Sequence, residues 1–231
     1  MGKTLRVCIA AAFILCAVQT ASAETIHLTD RMVHVSGGIN GKMIAKATKK
    51  LLELDSENDE TIWLMIDSFG GAVDAGFILI DTIKGMRSPV HAVVLSKAYS
   101  MGAIITAFCT KRYIYPHATM MFHEASYGAM GEDPTIRSRI EFNTRYLDKM
   151  HVELAKILRL SHKAYREKIR DAWWVLADEA VAAHMVDHIV TGVTYKKLPV
   201  TTKEIKRTRT TKEKRTYRRG KGDKVLDGKS R

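Results

Sequence analysis

The 231-residue chain has only three cysteines and four prolines, and aromatic residues make up 7% of it. Two of the cysteines, Cys8 and Cys16, lie near the N-terminus, and only Cys109 lies further along the chain. So few cysteines exclude a small scaffold held by disulfides. With 46% hydrophobic and 27% charged residues, the composition predicts a globular protein with one well-buried core and excludes a fully disordered chain.

Acidic residues are outnumbered by basic ones, and the formal net charge is +12. The excess is local, because residues 196–231 contain 15 Lys and Arg against 4 Asp and Glu, whereas residues 24–195 contain 20 against 21. The body is therefore almost neutral, and we expect no nucleic-acid-binding face on it. We interpret 196–231 as a disordered basic tail, which either binds an anionic surface or only increases solubility.

The N-terminal segment lacks the roughly 20 apolar residues that a membrane-spanning helix needs. Its apolar run covers only residues 7–18, follows Lys3 and Arg6, and precedes a small-residue pattern at 21–23. This layout is typical of a secretory signal peptide over residues 1–23. It predicts cleavage after Ala23 and a periplasmic or secreted mature chain. An uncleaved signal that anchors the chain in a membrane is the alternative.

Several common binding motifs are missing. The sequence contains no glycine-rich phosphate-binding motif, no HExxH zinc motif and no GxSxG nucleophile motif. We therefore expect no bound nucleotide, no other cofactor and no metal. His184 and His188 flank Asp187, but a surface turn before a strand explains this group more simply than a metal site does.

Short apolar runs alternate with helical patterns along the body of the chain. Strands are predicted at 62–66, 90–95, 111–115, 119–123 and 185–190, and helices at 72–86, 101–110, 134–159 and 177–183. Alternation of this kind predicts an α/β fold with a parallel sheet and right-handed crossovers. Functional groups gather at the carboxyl ends of such strands, which here are the predicted turns 68–71 and 96–100 and His123.

The predicted helix at 134–159 carries one apolar stripe with a single polar interruption. The stripe residues recur at intervals of four and three: Ile136, Ile140, Asn143, Leu147, Met150, Leu154 and Ile157. A helix of this length either projects and packs against a partner subunit or lies on its own sheet.

Ser100 is the first candidate for a catalytic residue. It lies at a predicted turn that opens a helix, where free backbone N–H groups and a partial positive charge are available. Taken alone, Ser100 is most simply a helix N-cap. Its position at the same predicted sheet edge as Gly70, Gly71 and His123 strengthens the catalytic interpretation.

Five motifs, in this order along the chain, together resemble the Clp protease proteolytic subunit family, ClpP: SFGGAVDAG at 68–76, YSMGA at 99–103, MFHE at 121–124, DEAV at 178–181 and MVD at 185–187. The resemblance covers roughly residues 25–190. It implies a ClpP/crotonase-like fold of repeated ββα units with a parallel sheet and a projecting handle helix at 134–159. It also implies a serine endopeptidase domain over 24–195 that forms a homo-oligomeric ring and cleaves peptides or unfolded chains.

The same resemblance implies roles for individual residues. Ser100 would be the nucleophile and His123 its base, and the backbone N–H groups of Gly71 and Met101 would form the oxyanion hole. Gly70 and Gly71 would also bind the substrate. Asp171 would orient His123, although the family aspartate aligns with its neighbour Ala172.

Other departures from the family pattern are Phe69 in place of proline, the bulky Tyr99 before the serine, and Glu124 after the histidine. They keep two alternatives open. One is a catalytically weak or inactive ring that binds peptides or acts as a scaffold, and the other is a crotonase-type acyl-CoA enzyme. An exported ring would work without an ATP-driven partner, because the space outside the cytoplasm lacks ATP.

Overall fold

A computed structural model describes residues 23–126, 128 and 130–198. Strands and helices alternate along these residues. The strands are β1 (Ala23–Thr29), β2 (Met32–Ile39), β3 (Ile62–Gly71), β4 (Val90–Tyr99), β5 (Lys111–Ile114), β6 (Thr119–Phe122), β7 (Trp173–Val175) and β8 (His188–Lys196). The helices are α1 (Gly41–Glu57), α2 (Val73–Gly85), α3 (Met101–Ala107), α4 (Asp133–Ile157), α5 (His162–Ile169) and α6 (Ala177–Ala182). None of these described helices combines the length and apolar character that crossing a membrane requires.

A single sheet has the strand order β1-β8-β5-β4-β3-β2, with β6 beside β4 and β7 beside β6. The pairs β2/β3, β3/β4, β4/β5, β4/β6 and β5/β8 are parallel, and β6/β7 is antiparallel. Parallel neighbours need crossover connections, which α1, α2 and α3 supply from β2 through to β5. This mainly parallel α/β architecture confirms the predicted ClpP-like fold class.

Strand β3 is buried on both of its faces, which explains why its first five residues are all apolar. Ile62, Leu64 and Ile66 belong to the large core. Trp63 and Met65 belong to a smaller cluster on the other face, whose further buried members are Ile26, Leu28, Val93, Tyr113 and Val190. Strand β1, which the sequence analysis did not predict, supplies Ile26 and Leu28 to this second layer.

Strands β3 and β4 extend further than predicted. The segments 68–71 and 96–100 were expected to be turns, but β3 continues to Gly71 and β4 to Tyr99. The ladder between them shifts register between Ile66 and Ser68. The shift ends the regular pairing of the two strands at the point where the candidate site begins.

The long helix α4 combines the two arrangements that its apolar stripe left open. Its buried residues all lie in the C-terminal third of the helix and are Met150, His151, Leu154 and Ala155. The Tyr146 ring lies 5.1 Å from that of Phe77 on α2. The N-terminal half has no buried residue, and there Ile140 is 44% and Phe142 56% exposed. Helix α4 thus packs on its own core at one end and projects at the other.

Two predicted segments lie outside the described residues. These are the signal peptide over 1–23, except for Ala23, and the basic tail beyond Leu198. Glu24, the residue after the predicted cleavage point, lies in β1. Its carboxylate accepts hydrogen bonds from Lys111 Nζ at 3.1 Å and from the Tyr113 hydroxyl at 3.2 Å. The cleavage and the disorder of the tail stay predictions.

Candidate active site

Ser100 occupies the junction between the end of β4 and the start of α3. Its backbone has φ 53° and ψ −122°, a conformation that a non-glycine residue rarely adopts and that costs about 1–3 kcal/mol. Its N–H donates a 2.8 Å hydrogen bond to the Met121 carbonyl on β6. Ser100 occupies the N-cap position of α3, as expected, but its side chain makes no capping hydrogen bond to the helix. The hydroxyl is thus left for another role at a strained strand-to-helix turn.

Gly70 on β3 packs directly against this turn. A Cβ at Gly70 would lie 2.6 Å from the Ser100 Cβ, 2.7 Å from the Tyr99 carbonyl oxygen and 3.0 Å from the Met101 nitrogen. Gly70 also has φ +90°. The predicted glycine pair and the predicted nucleophile therefore lie together, and only glycine permits this close approach.

Ser68 is a residue of this site that the sequence analysis did not assign. It is fully buried, its hydroxyl donates to the Gly37 carbonyl at 2.6 Å, and it accepts the Gly70 N–H at 3.0 Å. Through these two hydrogen bonds Ser68 links the glycine-containing end of β3 to β2. The available signal was a polar residue directly after a buried apolar strand.

The backbone N–H groups near Ser100 differ in what they bind. The Gly70 N–H is used by Ser68, and the Ala72 N–H donates to the Ile39 carbonyl at 2.9 Å. The N–H of Met101 belongs to the first turn of α3, where N–H groups have no partner within the helix. The Met101 side chain is 1% exposed. Burial of this side chain fixes the backbone of Met101 beside Ser100.

His123 directly follows β6 and is partly buried. It lies two residues beyond Met121, whose carbonyl binds the Ser100 N–H. Among the residues that the structure describes, no hydrogen bond joins the Ser100 hydroxyl to the His123 ring. The pairing of Ser100 with His123 as nucleophile and base therefore stays a prediction.

Asp171 lies elsewhere. Its side chain is 80% exposed, and its Oδ2 accepts hydrogen bonds from Arg170 Nε at 3.1 Å and Nη2 at 3.0 Å. Asp171 therefore forms an ion pair with its neighbour Arg170. The structure does not bring its carboxylate to His123. The proposed role in orienting the histidine finds no support in this arrangement.

Ala172, with which the family aspartate aligns, directly precedes β7. In the antiparallel β6/β7 ladder, Met121 pairs with Trp174 and Phe122 with Trp173, and the ladder ends at this last pair. His123 and Ala172 are the residues that flank this end of the ladder. Ala172 has φ 66° and carries no carboxylate. The residue that aligns with the family aspartate is thus an alanine beside the end of the β6/β7 ladder.

Glu124, next to His123, contacts α4 and α5. Its Oε1 lies 2.9 Å from Arg166 Nη2, and its Oε2 lies 3.8 Å from Nε2 of His151. His151 is 1% exposed, and burial lowers its pKa to about 4. Within the described part of the chain, neither ring nitrogen of His151 has a hydrogen-bond partner. Glu124 therefore holds the segment after β6 against both helices.

Tyr99 does not occupy the space in front of Ser100. Its hydroxyl lies 2.8 Å from the Thr119 hydroxyl, and its ring packs edge-on against Trp174 at 5.0 Å. Trp174 is 58% exposed. The bulk added before the serine thus forms an aromatic surface over β6 and β7.

The remaining candidate groups have structural partners. Asp187 binds Arg112 at 2.6 Å, and His188 lies 3.1 Å from Glu24. Residues 23–126, 128 and 130–198 contain no group of three or more His, Cys, Asp or Glu side chains that could hold a metal. Cys109 is buried, and burial raises the pKa of its thiol to about 12, as an inert core cysteine requires.

Comparison with known proteins decides the family. The family model described as Clp protease matches residues 17–193. The chain belongs to the Clp protease family. Its curated relatives include the ATP-dependent Clp protease proteolytic subunits of Streptococcus pyogenes serotypes M5 (strain Manfredo), M49 (strain NZ131) and M1. Each is 30% identical to it over 170 residues, which are 71% of this chain and 86% of the relative. The family is one of peptidase hydrolases, as the motifs predicted.

Proposed function

We propose that this member of the Clp protease family is a serine endopeptidase that cleaves peptides or unfolded chains. The observation that carries the proposal is Ser100 at positive φ between β4 and α3, with its hydroxyl not used as a cap. His123 removes the hydroxyl proton as the oxygen attacks the peptide carbonyl. The N–H groups of Gly71 and Met101 stabilise the oxyanion, and the leaving amine takes the proton from His123 before water releases the acyl group.

In this proposal the enzyme works as a serine–histidine pair. Asp171 is bound to Arg170, and the family position holds Ala172. Loss of the orienting carboxylate lowers turnover by about 10⁴ in a well-studied serine protease, yet leaves measurable chemistry. The same observation favours a second candidate, a catalytically weak or inactive ring that binds peptides as a scaffold.

The proposed assembly is a homo-oligomeric ring. Rings that act on peptides are usual in the family, and the projecting half of α4 offers the exposed apolar residues Ile140 and Phe142 for a contact between copies. Isolated exposed apolar residues are common, but two on one projecting helix fit a subunit interface.

The proposed location is the periplasm or the exterior. The signal-like segment 1–23 supports export, and the first residue after cleavage would be Glu24. The Streptococcus relatives are named ATP-dependent, whereas an exported ring would act without an ATPase. The basic tail would then hold the ring at an anionic surface.

Labelling with a fluorophosphonate probe tests the catalytic assignment. We expect the full-length chain to be labelled, and Ser100→Ala and His123→Ala each to abolish labelling. Ser96→Ala, at an exposed serine on the same strand, is the matched control and should be labelled as wild type. Labelling that persists in Ser100→Ala would refute the assignment, and an unlabelled but assembled wild type would support the scaffold. The mass of the exported chain should show Glu24 as its first residue.

A further inference from the structure

A cavity of about 520 Å³ lies beside β7, and Trp173, Trp174 and Val175 of this strand line it. We call it the β7 cavity. Its charged and aromatic lining consists of Arg159, Lys168, Trp173, Trp174, Glu179 and His184. A space of this size accommodates an amino-acid side chain with part of its backbone.

The lining of the β7 cavity has an excess of positive charge. The Lys168 ammonium lies 4.5 Å from the centre of the Trp173 ring. In the part of the chain that the structure describes, neither Arg159 nor Lys168 forms an ion pair. The only carboxylate in the lining, Glu179, accepts the Leu176 N–H at 2.8 Å at the start of α6. The cavity therefore presents two cations with no anionic partner.

Arg159 and His184 occupy positions where glycine is the most favourable residue. At the end of α4 the N–H groups of Arg159 and Leu160 bind the carbonyls of Lys156 and Ala155. These two hydrogen bonds define a helix-ending motif whose second-last residue is left-handed and usually glycine. Arg159 holds that position with φ 55°.

Helix α6 ends in the same way. His184 and Met185 donate to the carbonyls of Val181 and Ala180, and His184 has φ 56°. Two helices thus end next to one cavity, and each places a nitrogen-containing side chain where glycine would cost less. Both side chains line the cavity. Unfavourable backbone conformations that persist in this way cluster at binding sites.

Strand pairing places the β7 cavity at a defined distance from the nucleophile. The Ser100 N–H binds Met121, and Met121 pairs with Trp174. Two strand spacings separate Ser100 from Trp174, which is about 10 Å. The β7 cavity, whose lining includes Trp174, therefore lies within reach of a peptide bound at Ser100.

We propose that the β7 cavity binds an acidic side chain of the peptide that Ser100 cleaves. This inference rests on the proposed peptidase function and specifies its substrate class. Arg159 and Lys168 bind the carboxylate, while Trp173 and Trp174 contact the apolar part of the side chain. Binding weakens as salt increases, because Arg159 and Lys168 are both exposed to solvent.

The test uses two fluorescent ten-residue peptides that are identical except for Glu or Gln at one position. Their affinity for full-length Ser100→Ala is measured by anisotropy, and the position is moved along the peptide. We expect the Glu peptide to bind about tenfold more tightly than the Gln peptide when an acid can reach the β7 cavity. Equal affinity at every position, or no binding of either peptide, overturns the proposal.

Arg159→Gly in the Ser100→Ala background separates binding from folding. It removes the charge and also relieves the left-handed backbone, so we expect a higher Tm together with the loss of the tenfold preference for Glu. Arg159→Lys should restore part of the preference. Arg139→Gln, at an exposed position of α4 outside the cavity, is the matched control and should keep it. If Arg159→Gly leaves the preference for the Glu peptide unchanged, the proposal is also overturned.

Labelling of the wild type distinguishes this failure from failure of the proposed function. If the chain reacts with fluorophosphonate at Ser100 but shows no preference for Glu, the peptidase function is supported and the acidic subsite is refuted. If the chain prefers Glu but does not react, the peptidase function is refuted, and the β7 cavity is the peptide-binding site of a scaffold protein.

Discussion

Gly70 lies so close to Ser100 that a methyl group on Gly70 would come within 2.6 Å of the Ser100 Cβ. The contact joins two residues 30 positions apart, on the ends of adjacent parallel strands. It shows why the end of β3 has glycine at this point: the Ser100 turn occupies the space that any side chain would need. The position of the candidate nucleophile therefore depends on Gly70, a residue that takes no part in catalysis through a side chain.

Gly70→Ala tests this dependence. The added methyl group must displace the Ser100 turn or β3, and a misplacement of about 1 Å can lower a rate about 100-fold. We expect fluorophosphonate labelling to slow by about that factor and the free energy of unfolding to fall by about 1–3 kcal/mol. Gly85→Ala is the matched control, because a Cβ there would meet nothing within 4 Å. Unchanged labelling of Gly70→Ala would show that Ser100 does not depend on this packing.

Ala172→Asp tests whether the third catalytic residue is missing. The aspartate would stand at the family position, beside the same end of the β6/β7 ladder as His123, and Asp tolerates the left-handed backbone of Ala172 better than most residues do. We expect the labelling rate to rise at least about tenfold. Ala172→Asn has the same shape without the charge and should give no such increase. Asp171→Asn should change the rate less than about twofold; a large loss would restore Asp171 as the orienting residue.

His151 makes stability depend on pH. Burial, followed by the nearby Arg166 charge, lowers its pKa to about 4, whereas Asp148 acts in the opposite direction and His162 adds to the lowering. The Glu124 carboxylate and the Tyr165 ring also face it. In the folded state His151 is therefore neutral at pH 6, while the unfolded chain binds a proton below its usual pKa of about 6.5. The free energy of unfolding should fall by up to about 3 kcal/mol from about pH 6.5 to 4 and change no further from this residue below that.

Urea unfolding at several pH values measures this effect. His151→Leu should flatten the curve between about pH 6.5 and 4, because the variant has no group to protonate. His117→Gln, at an exposed histidine, is the control and should follow the wild type. A curve for His151→Leu that falls as steeply as the wild type would assign the pH dependence to other groups.

The projecting half of α4 offers a test of assembly. Leu147 and Met150 belong to the apolar stripe, but they are unsuitable for charged substitutions, because Met150 is 6% exposed and Leu147 packs against the chain's own core. Ile140→Glu and Phe142→Glu are better choices, because both residues are exposed and their change leaves the fold intact. We expect each to reduce the particle size in sedimentation velocity. Ser138→Glu is the control: it adds the same charge at another exposed position of the projecting half of α4 and should leave the particle size unchanged.

Much of the central fold could be predicted from local patterns. The order from β3 to β6, the bounds of α4 within two residues, and the placement of Ser100, Gly70 and His123 at strand ends all follow from short apolar runs and breaks. Some elements were missed although a signal existed. Helix α1 buries Ile44, Ala47, Leu51 and Leu54 at helical spacing behind the Asn40 cap. Strand β7 has only three residues and is too short for any periodicity to reveal.

By itself, the sequence determined the α/β class, the family, and which residues are available for catalysis, because apolar periodicity and motif order are properties of the chain. Only the tertiary structure decided which of those residues meet. It joined Gly70 to Ser100, paired β6 with β7, and gathered Arg159 and His184 at one cavity. These outcomes depend on strand register and on how helices end against the sheet. Such contacts join residues far apart in the chain, and no local pattern contains them.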